Sequence, residues 1–464
     1  MLRALFATAL AIVQTPLPAQ ALTPDEQAQV DRVVTAALRD TGVPSASIAV
    51  VRGGRVVLAK AYGKQCERCG APDARLPYPI ASVSKQFTAA AMLLLEDEGR
   101  LSLDDHVATY LPGVTGGDRI TLRQLLNHTS GLRDYWPQDY SFRAMATPIT
   151  PQGIVDRWAK QPLDFEPGAQ WQYSNTGYVV AGLVVEKVAG EPLLAFVQRR
   201  LLAPLGIRAV DQDKAVGPGF PQGYKRLALG PVRPETPAAP GWLYAAGELA
   251  MSAEDLAKWD IARMNRTLLP PDDWAAQETP VRLTDGSSNG YGLGVYAGTA
   301  DGRRFVEHSG EAVGFLSENI VLPDDKAAVV VLVNGWFADA QQRIANGIVR
   351  VVLPAPPATA ADGAALVRTR AVFDQLRRGA LDAKLLTDDA RYYFTPEARA
   401  DYRASLAPLG EPTSFVQTGR TRLRGGFVNR TFRATFPGRT LAISTYVEPG
   451  ADGRFEQFLV APAQ

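Results

Sequence analysis

Residues 327–334 read Ala-Ala-Val-Val-Val-Leu-Val-Asn, an apolar run closed by one amide. Side chains of a strand alternate between two faces, so this run is apolar on both and predicts a central, fully buried strand. Its partners are legible nearby. Residues 47–51 and 55–61 are β-rich and joined by Gly53-Gly54, a hairpin signature. Further strand signals fall at residues 292–296, 304–308 and 314–322, and residues 338–353 read as a helix. At the other end Thr23-Pro24-Asp25-Glu26 opens a helix with a cap, a first-position proline and a capping box, and Gly42 ends it. The text between hairpin and strands is mostly helical, with strong starts at Ser82, Thr121, Thr150, Gly177 and Ser252. Helix, hairpin, helical block, antiparallel strands and helix describe an α+β domain whose sheet joins both ends of the segment.

A chain of 464 residues is too long for one ordinary core, and residues 353–363 (LPAPPATAADG) form a Pro/Ala-rich boundary. We read four parts: a signal peptide at 1–21, a catalytic domain at 22–353, a linker at 354–363 and a C-terminal α+β accessory domain at 364–464. That last part carries helices near 364–378 and 396–407, then strands near 414–421, 428–436, 441–447 and 455–460. Its pattern resembles the cone-like fold of nuclear-transport-factor-type domains, which implies an accessory or oligomerisation role. The oligomeric state itself is left open.

Arg3, the apolar residues 4–13, the helix-breaking Pro16 and Pro18, and Ala19-Gln20-Ala21 make the secretory pattern. The apolar run is about half of the ~20 residues a membrane span needs, and an uncleaved anchor is the competing reading. The mature chain is expected in the periplasm or outside the cell, with no transmembrane segment. Cys66 and Cys69 are the only cysteines. In an oxidising compartment they are expected to form a small disulfide, with two free thiols as the alternative. A net charge of +1 removes any electrostatic case for nucleic acid as a partner.

Ser82-Val83-Ser84-Lys85 begins a helix, and three residues is nearly one turn, so the hydroxyl and the amine share a face. A serine hydroxyl needs a neighbouring base to attack a carbonyl, and a lysine serves only if burial or a second cation keeps it partly neutral. Tyr173-Ser174-Asn175 precedes another helix. Tyr173 can share a proton with Lys85, and Asn175 can hold both Lys85 and a substrate amide. His308-Ser309-Gly310 ends a predicted strand. There Gly310 lets a substrate approach the backbone, and the Glu311 N–H can pair with that of Ser82 as an oxyanion hole.

In this order the three motifs resemble the penicillin-recognising serine hydrolases: class C β-lactamases, D-alanyl-D-alanine carboxypeptidases, D-aminopeptidases and related esterases. The flanking text at residues 80–85, 120–132 (ITLRQLLNHTSGL), 253–259 (AEDLAKW) and 291–294 (YGLG) is similar as well. The resemblance implies the β-lactamase/penicillin-binding-protein-like transpeptidase fold, an antiparallel sheet flanked by helices with an all-helical subdomain. It makes Ser82 the nucleophile, Lys85 and Tyr173 the acid–base pair, and Asn175, His308, Gly310 and Glu311 substrate-binding. No metal and no organic cofactor are called for. The expected partner is a small-molecule or peptide substrate, peptidoglycan-derived peptides included. The implied activity is hydrolysis of a D-amino-acid peptide, amide or ester through a Ser82 acyl-enzyme. A true β-lactamase and a catalytically silent cell-wall-peptide-binding protein are the alternatives.

Three departures bear on substrate. His308 stands where the β-lactamases usually carry lysine, so the fixed point charge for a substrate carboxylate is missing. Glu311 and Glu248 stand where small residues are common, and both are expected to charge or narrow the cleft. His106 and His128 are read as structural.

Overall fold

The computed structural model describes residues 21–300, 302–353, 360–418, 421–424 and 426–463. The signal-peptide expectation therefore falls outside the described residues, apart from residue 21. Two compact units are present, divided near residue 354.

In the first unit we label the elements that position the site. They are α1 (Pro24–Thr41), β1 (Ser45–Arg52), β2 (Arg55–Gly63), α2 (Lys85–Asp97), α3 (Asn175–Ala189), α4 (Ala253–Asn265), β3 (Tyr296–Ala300), β4 (Arg303–Ala312), β5 (Phe315–Leu322), β6 (Ala327–Val333) and α5 (Ala340–Val352). The capping box at the start of α1 forms as read, with Thr23 and Glu26 each accepting the other's backbone N–H.

Among the described residues the main sheet has six strands in the order β2-β1-β6-β5-β4-β3. The first and last strands in sequence are joined at its centre, where β1 pairs antiparallel with β6 from Ala46↔Val333 to Val51↔Ala328. The uniformly apolar run of β6 has its reason here. Val329, Val331 and Val333 enter one core with Val30, Val34, Ile344 and Ile348 of the terminal helices. Ala328, Val330 and Leu332 enter the other, with Phe87 and Leu95 of α2 and Leu256 of α4. A strand with two dry faces has no position for a polar side chain, and β6 has none.

Two expectations are corrected. Residues 292–295 are not part of the strand expected over 292–296, which begins only at Tyr296. Gly294 takes φ +78°, and a Cβ there would lie 2.9 Å from the Lys85 backbone carbonyl oxygen. A Cβ on Gly292 would lie 2.0 Å from the Gln277 carbonyl oxygen. The YGLG segment is thus a tight turn packed on α2. The second correction is at residues 360–363, expected in the linker, which form the first turn of the helix Ala360–Arg378.

In the second unit the helices Ala360–Arg378, Asp388–Tyr393 and Pro396–Leu406 share a core with an antiparallel sheet. That core includes Phe373, Phe394, Phe432, Phe436, Phe455 and Phe458. The strand order is Ser414–Gln417, Phe427–Phe436, Arg439–Val447, Phe455–Pro462, with Arg422–Arg424 also on the second of these. Among the described residues no helix is long and apolar enough to cross a membrane.

Cys66 and Cys69 are joined as a disulfide, with their Cα atoms 5.1 Å apart. So short a loop removes little unfolded-state entropy. Replacing both cysteines by serine is expected to cost no more than about 2 kcal/mol in denaturant unfolding and to leave turnover intact.

Candidate active site

Ser82 lies in a single 3₁₀ turn, Ala81–Ser84, that runs directly into α2. The chain enters it through Ala81 at φ +50°, a left-handed conformation that costs a non-glycine residue about 1–2 kcal/mol. The turn is held from below. The Ser317 hydroxyl of β5 donates to the Ile80 carbonyl at 2.8 Å, and the Leu249 N–H donates to the Ser84 hydroxyl at 3.1 Å.

Lys85 is completely buried, and its Nζ has three oxygen neighbours. They are the Asn175 Oδ1 at 2.8 Å, the Ala246 carbonyl at 2.8 Å and the Ser82 Oγ at 3.0 Å. The first two are carbonyl oxygens that can only accept. Only the Ser82 hydroxyl can donate. A neutral Lys85 therefore spends its two N–H bonds on Asn175 and Ala246 and turns its lone pair toward the Ser82 proton. Burial favours that neutral form: it pulls the ammonium down to about 7, against the opposing pull of the Asp134 carboxylate.

Tyr173 hydrogen-bonds Ser82 as well. Its ring lies 4.8 Å from Lys85 Nζ. Burial raises the phenol well above its ordinary range despite the Ser82 bond. Of the pair, Lys85 is thus equipped to be the base and Tyr173 to carry a proton.

Asn175 begins α3, where the Ser174 hydroxyl caps the helix by accepting from the Gly177 N–H. Its backbone N–H donates to Asp134 Oδ1 at 3.0 Å, and its amide Nδ2 donates to Asp134 Oδ2 at 3.3 Å. That clamp fixes the amide with its oxygen on Lys85. Asp134 was missed in the sequence. The signal was its place just after the LNHTSGL segment, but a lone aspartate in a loop points nowhere until the Asn175 backbone is beside it.

His308 and Gly310 both lie on β4. A Cβ on Gly310 would fall 2.3 Å from the Ile80 carbonyl oxygen and 2.3 Å from Ser317 Oγ, so glycine is required for β4 to pack on the Ser82 turn. His308 is buried, with Nε2 on the Tyr291 hydroxyl at 2.9 Å and Nδ1 on the Ser309 carbonyl at 2.5 Å. Burial first, and Lys85 second, lower it to about 3, so it is neutral. The wall that carries a lysine in the β-lactamases carries no cation here. Glu311, one residue past Gly310, is partly exposed, and its carboxyl is raised to about 7 by burial and by Asp139.

Residues 30–353 match the family model described as Beta-lactamase. The chain belongs to the β-lactamase family. Penicillin-binding protein 4* of Bacillus subtilis (strain 168) is 28% identical over 365 residues, covering 73% of this chain and 80% of that protein. The putative penicillin-binding protein PbpX of the same strain is 31% identical over 255 residues, covering 54% of this chain and 62% of that protein. A solved structure of a D-stereospecific amidohydrolase from Streptomyces sp. is 32% identical with a TM-score of 0.60, covering 68% of this chain and 96% of that one. The protein is a serine hydrolase of the penicillin-recognising superfamily, with the β-lactamase/penicillin-binding-protein-like fold.

Within this β-lactamase-family frame, Glu248 does not charge the cleft. It borders a small cavity with Ser84, Phe87, Leu193 and Leu249. Burial, then Asp211 and Glu186, raise its carboxyl to about 8. A larger cavity of about 160 Å³ is bordered by Trp136, Met145, Leu243, Val313 and Phe315, with the Asp213 carboxyl beside them.

The contact at Gly310 makes a direct prediction. Gly310→Ala is expected to cost about 1–3 kcal/mol in thermal or denaturant unfolding, as overpacking does, and to lower kcat in the fraction that remains folded.

Proposed function

We propose that the chain hydrolyses amides and esters of D-amino acids, or short D-peptides, through an acyl-enzyme on Ser82. The observation that carries this reading is the tetrad of Ser82, Lys85, Asn175 and Ala246, which leaves a neutral lysine only one proton to take. In the reaction Lys85 Nζ accepts the Ser82 proton as Oγ bonds to the substrate carbonyl carbon. The oxyanion rests on the backbone N–H groups of Ser82 and Glu311. The carbonyl carbon then loses its amine or alcohol, which takes a proton through the Tyr173 hydroxyl. Water repeats the attack in the second half and returns the Ser82 proton.

The likeness to a D-stereospecific amidohydrolase supports the substrate class. The neutral His308 supports amides and esters over β-lactams, because a substrate carboxylate has no cation to meet on that wall. We further propose that the protein is exported. The signal pattern of residues 1–21 and the Cys66–Cys69 disulfide both fit an oxidising compartment.

Intact-mass measurement with a p-nitrophenyl ester, a D-amino-acid amide panel and a penicillin tests the proposal. Wild-type protein is expected to turn over amide or ester and Ser82→Ala to lose all turnover and any adduct. Turnover that survives Ser82→Ala removes the mechanism, and a wild type that never acylates favours a binding protein.

The pH dependence follows from Lys85. Its neutral form is the base, and that form grows as pH rises through about 7. The value of kcat/KM is expected to climb with a midpoint near pH 7 on the acid side, measured with an uncharged substrate.

A further inference from the structure

Beside the Ser82 tetrad lies a second buried polar arrangement that the proposed reaction does not use. The Ser174 N–H donates to His128 Nδ1 at 3.1 Å. A backbone N–H can only donate, so His128 Nδ1 accepts and its single proton sits on Nε2. That nitrogen meets the Tyr291 hydroxyl at 3.2 Å. At the far end His308 Nδ1 faces the Ser309 carbonyl at 2.5 Å. A carbonyl can only accept, so this proton sits on Nδ1, and His308 Nε2 accepts from the Tyr291 hydroxyl at 2.9 Å. The direction of every bond is dictated from the two backbone ends. The chain runs one way, from the Y-x-N loop through His128, Tyr291 and His308 to the H-x-G strand.

His128 is placed to act on Tyr173. The Gln172 N–H donates to its backbone carbonyl at 3.0 Å and the Ser174 N–H to its ring, so both neighbours of Tyr173 hang on one residue. Its ring centre lies 4.1 Å from that of Tyr173. His128 holds this post at φ +63°, a strained backbone for a residue other than glycine. All three links of the chain are buried: His128 is 1% exposed, Tyr291 0% and His308 3%.

We propose that His128 and Tyr291 are positioning residues for the Ser82 reaction: their one-way hydrogen-bond chain holds the Tyr173 hydroxyl on Ser82 and keeps two neutral imidazoles beside Lys85. The inference rests on Ser82 as the nucleophile only for its kinetic part. The titratable groups facing the chain are Lys85 of α2, Tyr173, Tyr178 of α3 and Tyr296 of β3. Tyr178 spends its own proton on the Leu126 carbonyl at 2.6 Å. Protonating His128 would set Nδ1–H against the Ser174 N–H, donor against donor. A charged His308 would repel the Lys85 ammonium. Burial lowers both imidazoles, in keeping with this arrangement.

The test is nitrogen NMR of the full-length protein labelled in its three histidines, combined with kinetics. At pH 6 to 8, opposite neutral tautomers are expected, with the proton on Nε2 of His128 and on Nδ1 of His308. His308 protonated on Nε2, or either ring charged at pH 6, would overturn the proposal, and this arm needs neither substrate nor variant. Tyr291→Phe cuts the chain at its middle. With a p-nitrophenyl ester, kcat is expected to fall about ten- to hundredfold with KM within about twofold, and His308 is expected to become a tautomer mixture. His128→Asn keeps an acceptor for the Ser174 N–H and loses the link to Tyr291. Its double variant with Tyr291→Phe is expected to be no slower than the slower single. Unchanged kcat in Tyr291→Phe, or losses that simply add, would overturn the coupling. Turnover surviving Ser82→Ala would instead remove the mechanism and leave the tautomer result standing.

Discussion

A lysine ammonium taken wholly out of water is costly unless oxygen atoms replace its hydration, and the first unit is arranged around supplying them to Lys85. The three oxygens come from separate parts of the chain. Ser82 is one turn away, Asn175 is 90 residues on and Ala246 is 161 residues on. Two of them are in turn held by something else: Ser82 by the strained Ala81 turn on β5, Asn175 by the Asp134 clamp and the cap of α3. The result is a compromise that makes chemistry available. Burial outweighs the attraction of Asp134, so the amine sits near neutrality rather than as a permanent cation.

The residue after Lys85 shows how firmly α2 is anchored. Gln86 Oε1 accepts from Trp259 Nε1 at 2.6 Å and from Arg263 Nη2 at 2.9 Å, both on α4. Gln277 Nε2 donates to the Gln86 carbonyl at 2.9 Å, and Asn319 of β5 donates to Asp260 at 2.8 Å. A buried polar network of this kind fixes rotation and register where apolar packing alone would tolerate several fits. It ties α2 to α4 and to the sheet, so Ser82 and the H-x-G strand are referred to one frame.

Much of this could be read from residue types because the rules involved are local. Thr23, Thr121 and Ser252 start helices through bonds three residues long, and all three caps are present. The spacing of Ser82 and Lys85 needs only helical geometry. What escaped reading depends on approaches between distant segments. Residues 292–295 look like the start of a strand because Val295 and Tyr296 favour one, yet the strand begins only at Tyr296, and Gly292 and Gly294 serve contacts with Gln277 and Lys85 that no window of sequence contains. Asp134, His128 and Tyr291 are ordinary residue types in ordinary surroundings until Asn175, Tyr173 and His308 are set against them.

Periodicity and spacing therefore determined a sheet built from both ends of a segment, a buried central strand, helix starts, and a serine and lysine on one helical face. A family resemblance added the tyrosine, the asparagine and the H-x-G strand as companions. Tertiary structure alone decided how they act. It left Lys85 a near-neutral amine by enclosing it, and set His308 against the Tyr291 hydroxyl. It also showed that Gly310 is small because the Ser82 turn lies against it. Hydrogen-bond direction and burial are properties of surroundings, and surroundings exist only once the chain has folded.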